Sequence, residues 1–251
     1  MSSEAEASSS DSSGKTVRRV ATKRVYAGSE MRFRWTLARG TAIGLTRAFQ
    51  RVSVHHSERL PTGGAYILAP SHRSSADFLF VGCLTGRPLR FMIKEEIWKH
   101  PRLGDFVMWF GAFPVSRGKP DRAALRMSSD ALEAGDALVI FPEGTRCVGP
   151  EIMELHEGAA FLALRAKVPI VPVGIGGSSG VFVKGKKAPR LFRKIHVVVG
   201  EPIFPDEGDG PVRRSRITET TNKLRESLQK CFNEAEALST GPSYDRRPTD
   251  S

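Results

Sequence analysis

From Arg59 onward, short apolar runs closed by turn residues alternate with longer stretches whose apolar positions recur every three or four residues. The runs predict strands over 65–69, 90–94, 112–116, 137–142, 170–175 and 195–200, and the periodic stretches predict helices over 76–85, 120–134, 157–167 and 213–237. Within the 120–134 stretch, Ala124, Leu125, Met127, Ala131 and Leu132 fall at core spacing and Gly135 supplies the stop. Strands alternating with helices imply an α/β fold: a central mostly parallel or mixed sheet flanked by helices. Four segments follow. Disordered tails are expected over 1–14 and 239–251, a basic amphipathic helical segment over 15–56, and the main domain over 57–238.

Composition adds little until charge is considered. At 251 residues, 40% hydrophobic and 26% charged, the chain is an ordinary folded protein, but its net charge of +11 is not ordinary. Eleven Lys or Arg stand against Glu30 and Glu58 between Lys15 and Arg59, so most of the excess is N-terminal. Such an excess suits nucleic acid, anionic lipid or an anionic substrate. Nucleic acid is disfavoured because no reading helix or aromatic stacking motif is present. Phe33, Trp35, Leu37, Ile43, Leu45 and Phe49 lie among the arginines of this segment. It either lies in the plane of an anionic membrane surface or packs on the main domain with its arginines in water, and the two roles are compatible.

The Ser-rich start has no charged region leading into an apolar stretch, so no signal peptide is expected. The most apolar stretch, Phe106 to Val115, is too short for a membrane span and contains Gly111 and Pro114. Cys83, Cys147 and Cys231 have no metal-ligand spacing and cannot all pair, which favours a reducing compartment and argues against a zinc site.

Two polar motifs follow predicted strands: Ser71-His72-Arg73-Ser74-Ser75-Ala76-Asp77 and Phe141-Pro142-Glu143-Gly144-Thr145-Arg146. Five residues along one α-helix is about 500°, which would point His72 and Asp77 roughly 140° apart. They meet more easily if His72 lies in the turn before a helix and Asp77 near its start, with Ser74 and Ser75 as capping residues. Asp77 can then fix one imidazole nitrogen and leave the other free to take a proton. Taken alone, a capping Asp beside a surface histidine is the simpler reading. In the second motif Gly144 permits a tight turn that exposes backbone N–H groups, and Arg146 offers a planar fork suited to phosphate. Glu143 and Arg146 either pair with each other or face a ligand. Between the motifs, Gly111 to Arg117 is a short strand delivering a second arginine, and Val168 to Val173 is a Val-Pro-rich strand.

These four blocks, in this order over roughly residues 57–205, resemble the glycerophospholipid acyltransferase family. His72 and Asp77 match its first block, Gly111 to Arg117 loosely its second, Phe141 to Arg146 in full its third, and Val168 to Val173 its fourth. Ser71 stands where many members carry Asn. The resemblance implies transfer of an acyl group from acyl-CoA or acyl carrier protein to the free hydroxyl of 1-acylglycerol 3-phosphate, giving phosphatidic acid. Glycerol 3-phosphate, another lysolipid or a lipid-linked alcohol is the alternative acceptor. A non-catalytic basic lipid-binding protein is the alternative from another class. On the acyltransferase reading His72 is the general base and Asp77 its orienter, and Arg117, Glu143, Gly144, Thr145 and Arg146 line the substrate site. Arg117 and Arg146 would hold the acceptor's phosphate, while Glu143 either bonds the acceptor or holds the arginines. No metal or bound cofactor is required. Phe106, Trp109 and Phe110 are candidates for an acyl entrance. Together with the absent long apolar spans, this suggests a bacterial enzyme of the cytoplasm, peripheral on the inner face of the cell membrane through its basic N-terminal segment.

Overall fold

Strands buried on both faces read as continuous apolar runs, and Tyr66–Pro70, buried throughout, lies at the centre of the sheet. The computed structural model describes residues 28–94, 104, 111–115, 122–181, 190–205 and 211–240. Within them the chain forms β1 (Gln50–His55), β2 (Tyr66–Pro70), β3 (Leu89–Lys94), β4 (Ala112–Val115), β5 (Ala137–Val139), β6 (Ile170–Gly176) and β7 (Arg193–Val199). The helices are α1 (Gly28–Phe49), α2 (Asp77–Gly82), α3 (Arg122–Glu133), α4 (Gly158–Ala166) and α5 (Arg214–Thr240). The sheet order is β1-β7-β6-β2-β5-β3-β4, and neighbours are parallel except β6 with β7.

Alternation along the strands builds two cores. Tyr66, Leu68, Val139, Val173 and Ile195 face one side, where Trp35 of α1 and Phe80 and Val81 of α2 pack. Ile67, Ala69, Leu138 and Ile170 face the other, covered by Met127 and Leu132 of α3, Leu162 of α4, and Leu224, Leu228 and Phe232 of α5. The result is a three-layer α/β/α arrangement, as the strand–helix alternation implied.

Two segment assignments need correction. The helical segment expected over 15–56 ends at Phe49, since Gln50–His55 pair in parallel with β7 and form the sheet's edge. Val52 and Val54 alternate with polar residues, but so short and polar an alternation merges into the basic run before it. The expected C-terminal tail from 239 begins inside α5, which runs to Thr240. Trp35 is buried 6.4 Å from the Phe91 ring, so one side of α1 packs on the domain. The tail over 1–14 and residues 15–27 lie outside the described residues. No described helix is long and apolar enough to cross a membrane.

Glycines let α5 approach the sheet. A Cβ at Gly174 would fall 2.1 Å from the carbonyl oxygen of Cys231, and one at Gly176 would fall 2.1 Å from that of Ala235. Four residues of helix rise about 6 Å and two residues of strand about 6.6 Å, so the repeats match and helix backbone lies on strand backbone.

Candidate active site

β2 and β5 are adjacent parallel strands, so the loops leaving their C-terminal ends emerge side by side. His72 sits in the loop after β2, and Asp77 is the first residue of α2. His72 Nδ1 lies 2.9 Å from Asp77 Oδ2. That oxygen also accepts from the backbone N–H groups of Arg73 and Ser74, each at 2.7 Å. Asp77 is fully buried, and its Oδ1 has no hydrogen-bond partner among the described residues. A carboxylate only accepts, so Nδ1 carries a proton, and in the neutral imidazole Nε2 holds the lone pair. The imidazole rests against the Phe141 ring, 4.3 Å between centroids, which fixes its plane.

The expected serine cap of α2 is absent. Its N-cap is Ala76 without a side-chain bond, and the Asp77 carboxylate accepts from the N–H groups of Arg73 and Ser74 in the loop before the helix. Ser74 Oγ instead accepts from Ala76 N, and Ser71 Oγ accepts from Ile175 N at 3.0 Å, tying the loop to β6.

Glu143 does not line an open substrate site. Its side chain is fully buried, and Oε1 accepts from His72 N at 3.0 Å and from Arg73 Nη1 at 2.8 Å. Oε2 accepts from the same Nη1 at 2.9 Å and from Met153 N at 3.3 Å. Among the described residues Arg146 does not hold it, since that arginine bonds Ser75 instead. Arg73, which sequence reasoning passed over, is the partner. Its Nη2 donates to Glu151 O at 2.9 Å and its guanidinium lies 4.5 Å from the Phe232 ring centroid on α5. The sequence signal was an arginine in one motif and a glutamate in the other, seventy residues apart, and only the adjacency of β2 and β5 makes them a pair. The clamp continues through Cys147 N, which donates to His72 O at 2.9 Å.

Gly144 takes φ of +67°, the left-handed conformation its turn requires, but its N–H is closed onto Phe141 O rather than exposed. Thr145 and Arg146 are exposed, and Arg146 Nη1 donates to Ser75 Oγ at 2.6 Å, so this arginine stands at the open side of His72's loop. Arg117, Phe106, Trp109 and Phe110 lie outside the described residues.

The sequence and the fold are both similar to those of known enzymes. The family model described as acyltransferase matches residues 51–176, half of the chain. The chain belongs to the acyltransferase family. It is an O-acyltransferase. Among its relatives, 1-acyl-sn-glycerol-3-phosphate acyltransferase of Bacillus subtilis is 28% identical over 190 residues, 74% of this chain and 91% of that one. The chloroplastic 1-acyl-sn-glycerol-3-phosphate acyltransferase BAT2 of Brassica napus is 23% identical over 72% of this chain, which spans 52% of its length. The crystal structure of the 1-acyl-sn-glycerophosphate acyltransferase PlsC from Thermotoga maritima superposes with a TM-score of 0.64. It covers 89% of this chain and 98% of its own at 22% identity, a likeness of fold.

Proposed function

We propose that this acyltransferase moves a fatty acyl group from acyl-CoA or acyl carrier protein to the free hydroxyl of 1-acylglycerol 3-phosphate, with His72 as general base. The observation that carries the reading is the His72–Asp77 contact at 2.9 Å, which sets the tautomer a base needs. The named activity of the Bacillus relative supports the acceptor.

In the reaction, His72 Nε2 takes the hydroxyl proton as the oxygen attacks the thioester carbonyl. The C–S bond then breaks and the thiolate recovers the proton from the imidazolium. A thiol, with pKa about 8.5, leaves far more readily than an alkoxide, so direct transfer needs no acyl-enzyme. Asp77 holds the imidazole and balances its transient charge. Glu143 and Arg73 act through the backbone, holding the loop that carries His72. Arg146, with Arg117 from the second block, binds the acceptor's phosphate. The basic N-terminal segment keeps the enzyme at an anionic membrane surface, where both acceptor and product reside.

The test is purified protein given acyl-CoA or acyl carrier protein with 1-acylglycerol 3-phosphate, glycerol 3-phosphate and a phosphate-free lipid alcohol in turn. Transfer to the first is expected, and transfer only to the last would remove the role given to Arg146. His72→Ala should lower kcat by about 10²–10⁴-fold with the fold intact. Turnover at the parent rate would refute the mechanism.

A further inference from the structure

Beyond the site, the structure holds two apolar side chains rigidly in water. Gln50 is buried, and its amide grips a short turn at both ends: Nε2 donates to Arg190 O at 2.8 Å and Oε1 accepts from Arg193 N at 2.9 Å. Between these anchors Phe192 N donates to Phe49 O at 2.6 Å, and Phe192 has φ of 60°, a conformation bulky residues rarely adopt. Leu191 is left 44% exposed and Phe192 64%, beside Phe49 at 44%. Backbone strain kept in place by a buried amide, solely to present apolar groups to solvent, points to a partner.

The surrounding charge identifies the partner. Arg51, Arg190, Arg193 and Lys194 are all exposed. Neither Arg190 through Lys194 nor Phe49 through His55 contains an Asp or Glu. Apolar tips within a basic rim suit an anionic lipid interface, which takes up the side chains and neutralises the rim.

Topology decides where this surface faces. β6 runs parallel to β2, and β7 returns antiparallel to β6 with Gly176 opposite His196. The start of β7, and of β1 beside it, therefore projects from the same sheet edge as the C-terminal end of β2, where His72 sits. β7 is two strands from β2, about 10 Å across the sheet.

We propose that the Arg190–Lys194 turn, with Phe49 beside it, is a bilayer-docking surface that sets Leu191 and Phe192 into an anionic lipid interface and turns the His72 edge of the sheet toward the membrane. The inference rests on the reading that the acceptor is a membrane lipid, and it adds the Arg190–Lys194 turn to the contact assigned to the basic N-terminal segment. The surface requires no conformational change, because the Gln50 amide already fixes the turn.

The experiment is sedimentation of the full chain with vesicles of phosphatidylglycerol and phosphatidylcholine, compared with Leu191→Ser/Phe192→Ser and with Arg190→Gln/Lys194→Gln. Each pair should weaken binding about tenfold or more, and the loss in the charge pair should shrink at high salt while the loss in the apolar pair persists. Thermal midpoints serve as the fold control. Arg190 and Lys194 are exposed, so parent-like affinity in the charge pair overturns the proposal whatever the apolar pair does. Failure of the parent to acylate any lysolipid would instead refute the acceptor assignment, a separate measurement that leaves the binding result standing.

Discussion

Replacing Glu143 by Gln tests whether the Arg73–Glu143 pair holds the two halves of the site together. The substitution keeps shape and removes charge. Arg73 and Glu143 side chains are 1% and 0% exposed, so the guanidinium left behind has almost no water to turn to. The new amide NH2 would also face donors, Arg73 Nη1 and Met153 N, where the carboxylate oxygen accepted from both. Breaking a buried ion pair from one side costs about 3–5 kcal/mol. Against a total stability of about 5–15 kcal/mol, that is a large fraction. In urea unfolding the midpoint should fall by about 1.5 M with the m value unchanged. The double variant Arg73→Met/Glu143→Leu removes both charges and should recover much of the loss, since apolar pairs commonly replace buried ion pairs at little cost. Turnover should stay low in the double variant, because His72 N has lost the oxygen that anchors its loop. A Glu143→Gln loss below about 1 kcal/mol, or a double variant with parent turnover, would refute the clamp.

Gly174→Ala should cost about 1–3 kcal/mol, because the new methyl meets the Cys231 carbonyl and forces α5 outward. Turnover should fall with it, since Phe232 of α5 lies against Arg73; a parent-like unfolding midpoint would contradict the backbone contact. Burial, aided by Glu234, pushes the Cys231 thiol up to about 11, so iodoacetamide at pH 8 should modify it only as fast as the protein opens. Mass-spectrometric mapping that finds Cys231 alkylated as quickly as half-exposed Cys147 would contradict this. Burial, with His55 and Lys194 adding to it, lowers the His196 pKa below 6.5. The unfolded state then binds more protons than the folded one, so this contribution to stability is present above about pH 6.5 and is lost as pH falls through the folded value. Melting from pH 7.5 to 5.5 should show a shallower acid decline in His196→Gln, and an unaltered decline would remove His196 from the account.

Some of this protein was legible residue by residue. The apolar runs located β2 through β7 because a strand covered on both faces must be apolar at nearly every position, a property of the local sequence. β5 stops at Val139, short of the expected 142, where the chain turns into the Pro142–Glu143 loop. The angular argument for His72 and Asp77 was also local, since five residues of chain contain all the geometry it needs.

Other features belong to the tertiary structure alone. β1 is a strand because β7 offers it a parallel edge, a contact across some 140 residues that leaves no mark in so short and polar an alternation. By sequence alone Glu143 either pairs with Arg146 or faces a ligand. Burial and the Arg73 guanidinium made it a clamp, and both depend on β2 and β5 being neighbours. The glycines of β6 admit α5, whose contacting residues lie more than fifty positions further along the chain. Hydrophobic pattern and short-range spacing determine which elements form and which residues face one another nearby. Sheet order decides which distant charges share a dry site, and no local pattern carries that information.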